Sequence, residues 1–375
     1  MVTALTERQA FMILNDLPNI GPITLNRLLE EFGGDPRAIL AAPRQQLESV
    51  RGVGRETSSA LADWRSHFDL AKEEERLAQA GASFIMARDE SYPRLLKEIH
   101  DPPIGLYRKG AYGCDNPCIA VVGSRRCTLY GQAVAKRLGA ELAQLGFCVV
   151  SGLARGIDTA AHEGALSVGG RTVAVLGCGI DIVYPPENLG LYRRIADTGA
   201  VLSEFPFGRK ADRQSFPMRN RVVSGMSEAV VVVETDARGG AMITARFAGE
   251  QGRLIFAVPG RIDQPSSQGC HQLIRDGATL LTGVEDILAE LSYLDGLRPR
   301  PIETPGEPRL LNQILPQLDA NEQRVIAVFS GGGILGVDAV TAASGLSAAE
   351  VSATLMMLEL KHLVVRHPDG TFEAK

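Results

Sequence analysis

The sequence predicts an α/β protein: a parallel sheet covered by helices on both faces, preceded by a helical domain and followed by a small winged-helix tail. Three observations predict it. From residue 118 to about 295, short apolar runs alternate with amphipathic segments, the pattern of strands buried on both faces and connected by helices. Residues 1–80 carry helical periodicity without strand-like runs, and residues 319–375, set off by a proline-rich stretch, read as helices followed by a hairpin.

The helical domain comes first. LTERQAFMILNDL is amphipathic, and ETSSALADWRSHF is a second helix. Two glycine turns punctuate them, Leu17-Pro18-Asn19-Ile20-Gly21 and Val50-Arg51-Gly52-Val53-Gly54. An apolar residue flanked by glycines between helices is the pattern of a helix-hairpin-helix, where backbone amides approach a phosphate. With only Arg51 and Arg55 nearby, it is more simply a helical packing module that uses glycine to turn. Residues 81–117 contain Pro93, Pro102 and Pro103 and read as a bridging loop with short ordered pieces.

In the central domain the strands are CIAVVG, FCVVSG, TVAVLG, AVLSEF, AVVVVE and LIFAVPG. Between them lie TLYGQAVAKRLGAELAQLG, DTAAHEGALSVG, ENLGLYRRIADTG and helices near 219–227 and 240–251. HQLIRDGATLL and GVEDILAELSYL close the domain near 295. Residues 296–318 form a proline-rich linker. In the tail, ANEQRVIAVFS and GVDAVTAASG are helices, and a third opens at Ser347 with a capping box to Glu350. HLVVRHPDGTFEAK is a hairpin turning at Asp369-Gly370.

Composition narrows the function. Hydrophobic residues at 45% and charged residues at 22% of 375 fit a soluble globular chain of two or three domains. A net charge of -5 argues weakly against nucleic acid, but binding depends on the local field, so clustering of basic residues decides. The cysteines (Cys114, Cys118, Cys127, Cys148, Cys178 and Cys270) form no C-x-x-C pair and have no histidines spaced to complete a zinc set. They read as free thiols in a reducing compartment. The first residues lack a signal pattern, and no run approaches the ~20 apolar residues of a membrane span. The expected location is the cytoplasm.

Every candidate site residue falls where a strand runs into a helix, the edge on which open α/β sheets bind ligands. The first strand ends in Gly123-Ser124-Arg125-Arg126, which supplies close backbone approach, a hydroxyl, a guanidinium and helix amides. These are parts of a phosphate site, favoured here over a plain turn. Neither the G-x-G-x-x-G nor the P-loop spacing is present, so no nucleotide cofactor is indicated. The second strand ends in Ser151-Gly152-Leu153-Ala154-Arg155-Gly156-Ile157-Asp158. Asp158 and His162 could form an acid–base pair, but a helix cap beside a packed histidine is the favoured reading. The third strand leads into a glycine- and proline-rich loop, Gly177 to Asn188, that would wall a groove. In FPFGRKADRQSFPMRNR (205–221), Arg209, Lys210, Arg213, Arg219 and Arg221 face a single carboxylate, Asp212, and interleave with Phe205, Phe207 and Phe216. Cations for the backbone and aromatic faces for bases are the two components of single-strand binding. The plainer reading is a solvated loop with an apolar anchor. Gly239 and Gly240 present amides at another helix start.

In this order, YPRLLKEIHDPPIGLYRKG, AVVGSRRCTLYG, SGLARGIDTAAHEGAL, AVLGCGIDIVYPPEN, SEFPFG, FPMRNRVVSG, AMITARFAGEQGR, FAVPG and HQLIRDGA resemble the DNA processing protein A (DprA/Smf) family. The resemblance implies an extended Rossmann-like domain over 81–295, between a SAM or helix-hairpin-helix-like domain (1–80) and a winged helix (319–375). It implies a homodimer without enzymatic activity or cofactor. Such a protein binds and protects single-stranded DNA and promotes its loading onto a RecA-type recombinase in natural transformation. It puts a phosphate pocket at Gly123, Ser124 and Arg125, a basic contact at Arg213 and a base contact at Phe216, with Asn220 and Arg221 in the matching R-N-R segment. Gly152, Arg155 and Gly240 complete the expected DNA-binding set on the same edge.

The chain departs from the family pattern at Gly239 and Ala241, where serines are common, and at Arg213, where lysine is expected. The tail's expected recognition helix has Glu350 and Glu359 but no cation before Lys361, so the tail is expected to contact protein rather than read a groove. Two other readings compete. One is a Rossmann-like nucleotide-processing hydrolase of the lysine-decarboxylase-like type; its P-G-G-x-G-T-x-x-E signature would place Arg246 where the catalytic glutamate belongs. The other is a scaffold whose basic loop meets acidic protein surfaces.

Overall fold

The computed structural model describes residues 5–110, 116–294, 318–329, 333–361, 363–367 and 370–374. Cys114, the linker up to residue 317 and Asp369 lie outside them. Among the described residues a nine-stranded sheet runs in the order β1-β2-β6-β5-β4-β3-β7-β8-β9. The strands are β1 (Ala82–Met86), β2 (Gly105–Lys109), β3 (Cys118–Val122), β4 (Cys148–Ser151), β5 (Thr172–Leu176), β6 (Ala200–Ser203), β7 (Ala229–Val232), β8 (Leu254–Ala257) and β9 (Thr279–Leu280). From β6 through β9 the pairing is parallel, and β2 pairs antiparallel with both β1 and β6.

The bridge expected over 81–117 therefore contributes two strands. Both are short and flanked by prolines or turns, so no long period-2 pattern betrays them. Their apolar residues are nonetheless buried: Phe84 and Tyr107 pack at 5.1 Å, edge to face, beneath the helical domain.

The central strands are dominated by small and β-branched residues because both faces are covered. Alternation separates the faces: Ile119 and Val121 of β3 join one core, Ala120 and Val122 the other. Helices α8 (Leu129–Gln144), α9 (Ile157–Ser167) and α14 (Val284–Glu290) cover the first face; α11 (Ser215–Gly225), α12 (Gly240–Glu250) and α13 (Gln268–Arg275) cover the second. α10 (Leu189–Thr198) packs with the helical domain.

Among its described residues that domain has seven helices, α1 (Glu7–Asp16) to α7 (Leu70–Ala80). Its core is continuous with that of the sheet through Phe84, Tyr107, Val201 and Phe207. A buried Glu73 fixes the junction: its carboxylate accepts from the Tyr107 hydroxyl at 2.8 Å and from the Phe207 amide at 3.5 Å. The tail packs α15 (Ala320–Val328), α16 (Val337–Ser344) and α17 (Ala348–Leu360) around its own core, with strands β10 (Ile334–Leu335), β11 (Val364–Arg366) and β12 (Phe372–Ala374) as the wing. The Ser347–Glu350 capping box opens α17 as the spacing predicts. No helix among the described residues is long and apolar enough to cross a membrane.

One buried histidine ties α9 to the sheet. His162 shares a 2.6 Å hydrogen bond with the Thr172 hydroxyl, which donates to Val149 O of β4. Burial first, then the nearby Arg219 charge, pushes the His162 pKa down to about 3. The folded chain thus holds His162 neutral where an unfolded chain, titrating near 6.5, takes up a proton. This group's contribution is complete above about pH 6.5 and is lost as pH falls toward 3, by about 1.4 kcal/mol per unit. Denaturant melts between pH 7 and 5 should show that slope, and His162→Asn should flatten it.

Candidate nucleic-acid interface

The chain's crossovers leave β3 on one side and β7 on the other, opening a crevice at the carboxyl ends of these strands. The cleft there has a volume of about 640 Å³. One wall is Gly123, Ser124, Arg125 and Arg126 after β3; another is Thr235 to Ala241, from the loop after β7 into α12; the third is α11 with Arg213 before it. The glycines serve loop packing. A side chain at Gly123 would strike Ile157 and the Glu234 carbonyl, and one at Gly156, where φ is +75°, would strike the Ser124 carbonyl. Bringing these loops together pushes Ser124 and Arg125 outward. The Ser124 hydroxyl accepts from the Arg126 amide at 3.0 Å and keeps its own proton free to donate.

Helix α11 supplies the remaining chemistry by periodicity. Phe216, Arg219, Asn220 and Val223 stand at i, i+3, i+4 and i+7, one face of a helix, and all line the cleft. The Arg125 guanidinium lies over the Phe216 ring, 4.6 Å from its centroid, and the ring comes so near Gly177 that a Cβ there would sit 3.0 Å from it. Asn220 is held between its neighbours: its Oδ1 accepts from Arg219 Nε at 3.1 Å, and its Nδ2 donates to Gly240 O at 3.4 Å. Before the helix, Asp212 takes the amides of Gln214 and Ser215 at 2.8 and 2.7 Å and pairs with Arg209 at 2.7 Å. These contacts, the Ser215 amide first, hold its carboxyl below the usual range. Arg213 is left exposed on the cleft rim.

Three expectations need correction. Arg221 is not in the cleft. Two residues along a helix is a rotation of about 200°, so Arg221 points to the opposite side from Arg219. There it is buried against Glu204 and lies 3.3 Å from Asp101. Arg219 takes the cleft floor instead. It is 5% exposed and donates to the carbonyls of Gly152 and Val175. Burial lowers its pKa, opposed first by the Asp158 charge, yet a guanidinium starts so high that it stays charged. Phe205 and Phe207 are core residues, which leaves Phe216 as the aromatic of this segment in the cleft. Arg155 stays exposed on the same edge, beyond the residues that line this cleft, where it pairs with Glu187. Gly152 seats Arg219: a Cβ there would sit 2.2 Å from its guanidinium.

Asp158 and His162 form no acid–base pair. Asp158 is buried inside the first turn of α9 and accepts from the Gly152 and Ala154 amides at 3.1 and 3.4 Å, so it fixes the loop after β4 rather than capping its own helix. His162 is occupied with Thr172. Among the described residues no group of side chains could hold a metal ion.

Comparison with known proteins finds matches over both the sheet domain and the tail. A family profile described as DNA recombination-mediator protein A matches residues 83–292, and one for the DprA winged helix domain matches 307–370. Protein Smf of Synechocystis is 32% identical over 397 residues, covering 99% of both chains. DNA processing protein DprA of Streptococcus pneumoniae is 44% identical over 206 residues, 55% of this chain and 73% of its own. The X-ray structure of the pneumococcal protein superposes with a TM-score of 0.68 at 33% identity, covering 77% of this chain and 99% of that one. A structure describing the single-stranded DNA binding mode of DNA processing protein A from Helicobacter pylori superposes with a TM-score of 0.52 at 31% identity, covering 56% and 96%.

Two glycines of the cleft should respond oppositely to one added methyl group. Gly152→Ala drives a Cβ into Arg219 and should lower the unfolding free energy by about 1–3 kcal/mol. Gly240→Ala meets nothing within 4 Å at the start of a helix and should change it by no more than about 0.5 kcal/mol. Urea denaturation of the two variants checks the pair.

Proposed function

The chain belongs to the DprA/Smf family, and from that premise we propose that its cleft grips single-stranded DNA for delivery to a RecA-type recombinase. The observation that carries this reading is Arg125 lying over the partly exposed ring of Phe216, with Arg213 and Arg219 in the same cleft. An incoming strand brings a phosphate and a base together. Arg125 leaves the ring for the phosphate, exchanging a modest cation–π contact for a charge-assisted hydrogen bond, and the base takes its place on Phe216. Ser124 donates its hydroxyl, and the amides at the start of α12 face the same anion. Because every base has a flat face, the cleft holds any sequence. A paired, stacked base has no free face to offer, so duplex DNA binds poorly.

The protein works as a cytoplasmic homodimer without cofactor, in natural transformation. Two clefts on one assembly raise avidity. Binding rather than catalysis is its task. The hydrolase alternative requires a carboxylate nearly two turns into α12, where Arg246 points outward and pairs with Glu250 at 3.6 Å, neither reaching the cleft. The tail is an accessory, protein-contacting module. Lys361 is taken by the buried Glu322 at 2.6 Å, while Met356, Met357 and Leu360 are exposed on α17.

Fluorescence anisotropy across a salt series tests the cleft with a labelled single strand, its duplex, and the Arg125→Ala and Phe216→Ala variants. Phe216→Ala should weaken single-strand binding by about 1–3 kcal/mol. Arg125→Ala should weaken it and reduce the salt slope by about 1. Variants indistinguishable from the parent, or equal affinity for duplex, would overturn the reading. Lys361→Ala should leave single-strand affinity unchanged, since that charge is already neutralised.

A further inference from the structure

Aromatic surface continues past Phe216, beyond the residues that line the cleft. Tyr184 leaves the loop between β5 and α10 and sets its ring 5.6 Å from that of Phe216, tilted by 45°. Although it follows an apolar strand, Tyr184 is 39% exposed. The loop that carries it is tied down on both sides. The Tyr192 hydroxyl donates to Ile180 O at 2.8 Å, Asp181 accepts from the Gly208 amide at 3.0 Å, and the buried Asn188 side chain donates to Leu153 O and Thr159 Oγ1, both at 2.9 Å. Beyond Tyr184 stands Arg155, half exposed and paired with the equally exposed Glu187. Glu187 first, and the Tyr184 hydroxyl after it, raise the Arg155 guanidinium above its ordinary value.

An exposed aromatic on a braced loop spends no ordering entropy when a ligand meets it. Set beside Phe216 and followed by a cation, it repeats the pairing of aromatic and arginine that Phe216 makes with Arg125. We propose that Tyr184 is a second base platform and Arg155 a second phosphate contact, so that the single-strand track runs Arg125, Phe216, Tyr184, Arg155. The inference rests on the reading of the cleft as a single-strand site. The tilt between the rings requires the two bases to unstack from each other. The exposed Arg155–Glu187 pair contributes little by itself, so an arriving phosphate displaces Glu187 readily.

The test is a ladder of oligothymidylates of increasing length, bound to the full-length parent and to the Tyr184→Ala, Tyr184→Phe and Phe216→Ala variants. Tyr184→Ala should weaken the longer oligomers by about five- to 150-fold, the range of one lost stacking contact. The shortest oligomers that still bind should be unaffected, and Tyr184→Phe, which keeps the ring, should match the parent. Arg155→Ala should lower the salt slope by about 1 for long oligomers alone. Photo-cross-linking of the parent to strands carrying a single 5-iodouracil needs no variant to fold. It should map adducts to Tyr184 from a nucleotide adjacent to the one that reaches Phe216. If Tyr184→Ala binds every length like the parent, or adducts form on Phe216 and never on Tyr184, the second platform is overturned while the cleft stands. If Phe216→Ala is also without effect, the cleft reading itself has failed.

Discussion

The site depends on one buried charge. Parallel strands that stop at a crevice leave carbonyls without partners, and at the ends of β4 and β5 these are Gly152 O and Val175 O. The Arg219 guanidinium takes both. Leaving two buried acceptors unpaired would cost about 1–3 kcal/mol each, and Arg219 removes that cost while putting a cation on the cleft floor. A guanidinium suits the task because it carries five donors and keeps its charge in a desolvated setting. The rest follows from seating it. Residue 152 must lack a side chain, Asp158 must lie close enough to offset the charge, and α11 must start one turn earlier. That start puts Phe216 at the mouth and Asn220 beside α12.

Electrostatics are arranged locally against an acidic background. The chain carries a net charge of -5, yet the carboxylates nearest the cleft are spent on structure. Asp158 accepts two loop amides, Asp212 two more, and Asp236 the Arg238 amide at 2.9 Å. Glu234, at the end of β7, accepts from the amide and hydroxyl of Thr128 and the hydroxyl of Ser266. Anchored in this way, they hold loops and helix starts in place while Arg125 and Arg213 remain available at the surface. Mean charge therefore says little about what the cleft attracts.

The central sheet was legible because burial on both faces leaves a simple mark, short apolar runs between helices. The crevice was legible because glycines gather at the ends of those runs. Single side chains were harder. Composition counts Phe205, Phe207 and Phe216 alike, and only the tertiary core separates the first two from the third. Arg219 and Arg221 look equivalent in R-N-R. The signal that divides them, helical phase measured from Phe216, was present in the sequence: i+3 faces the cleft and i+5 faces away. For β1 and β2 no such signal exists, since ASFIM and GLYRK, no shorter than the central strands, mix polar residues into the run and so lack its continuous apolar mark.

On the proposed function, the protein passes a strand onward and must hold it without owning it. Reading base edges would oppose transfer, because edges engaged in hydrogen bonds are unavailable to a recombinase that searches by pairing. Stacking and phosphate contacts leave those edges free. The free protein also offers each contact a substitute: Arg125 rests on Phe216, and Arg155 rests on Glu187. When DNA leaves, neither guanidinium is stranded, so the barrier to release is lower than the bound contacts alone would set. On that proposed function, exposed exchangeable pairs over a rigid floor suit a surface that captures a strand through its charge and later releases it.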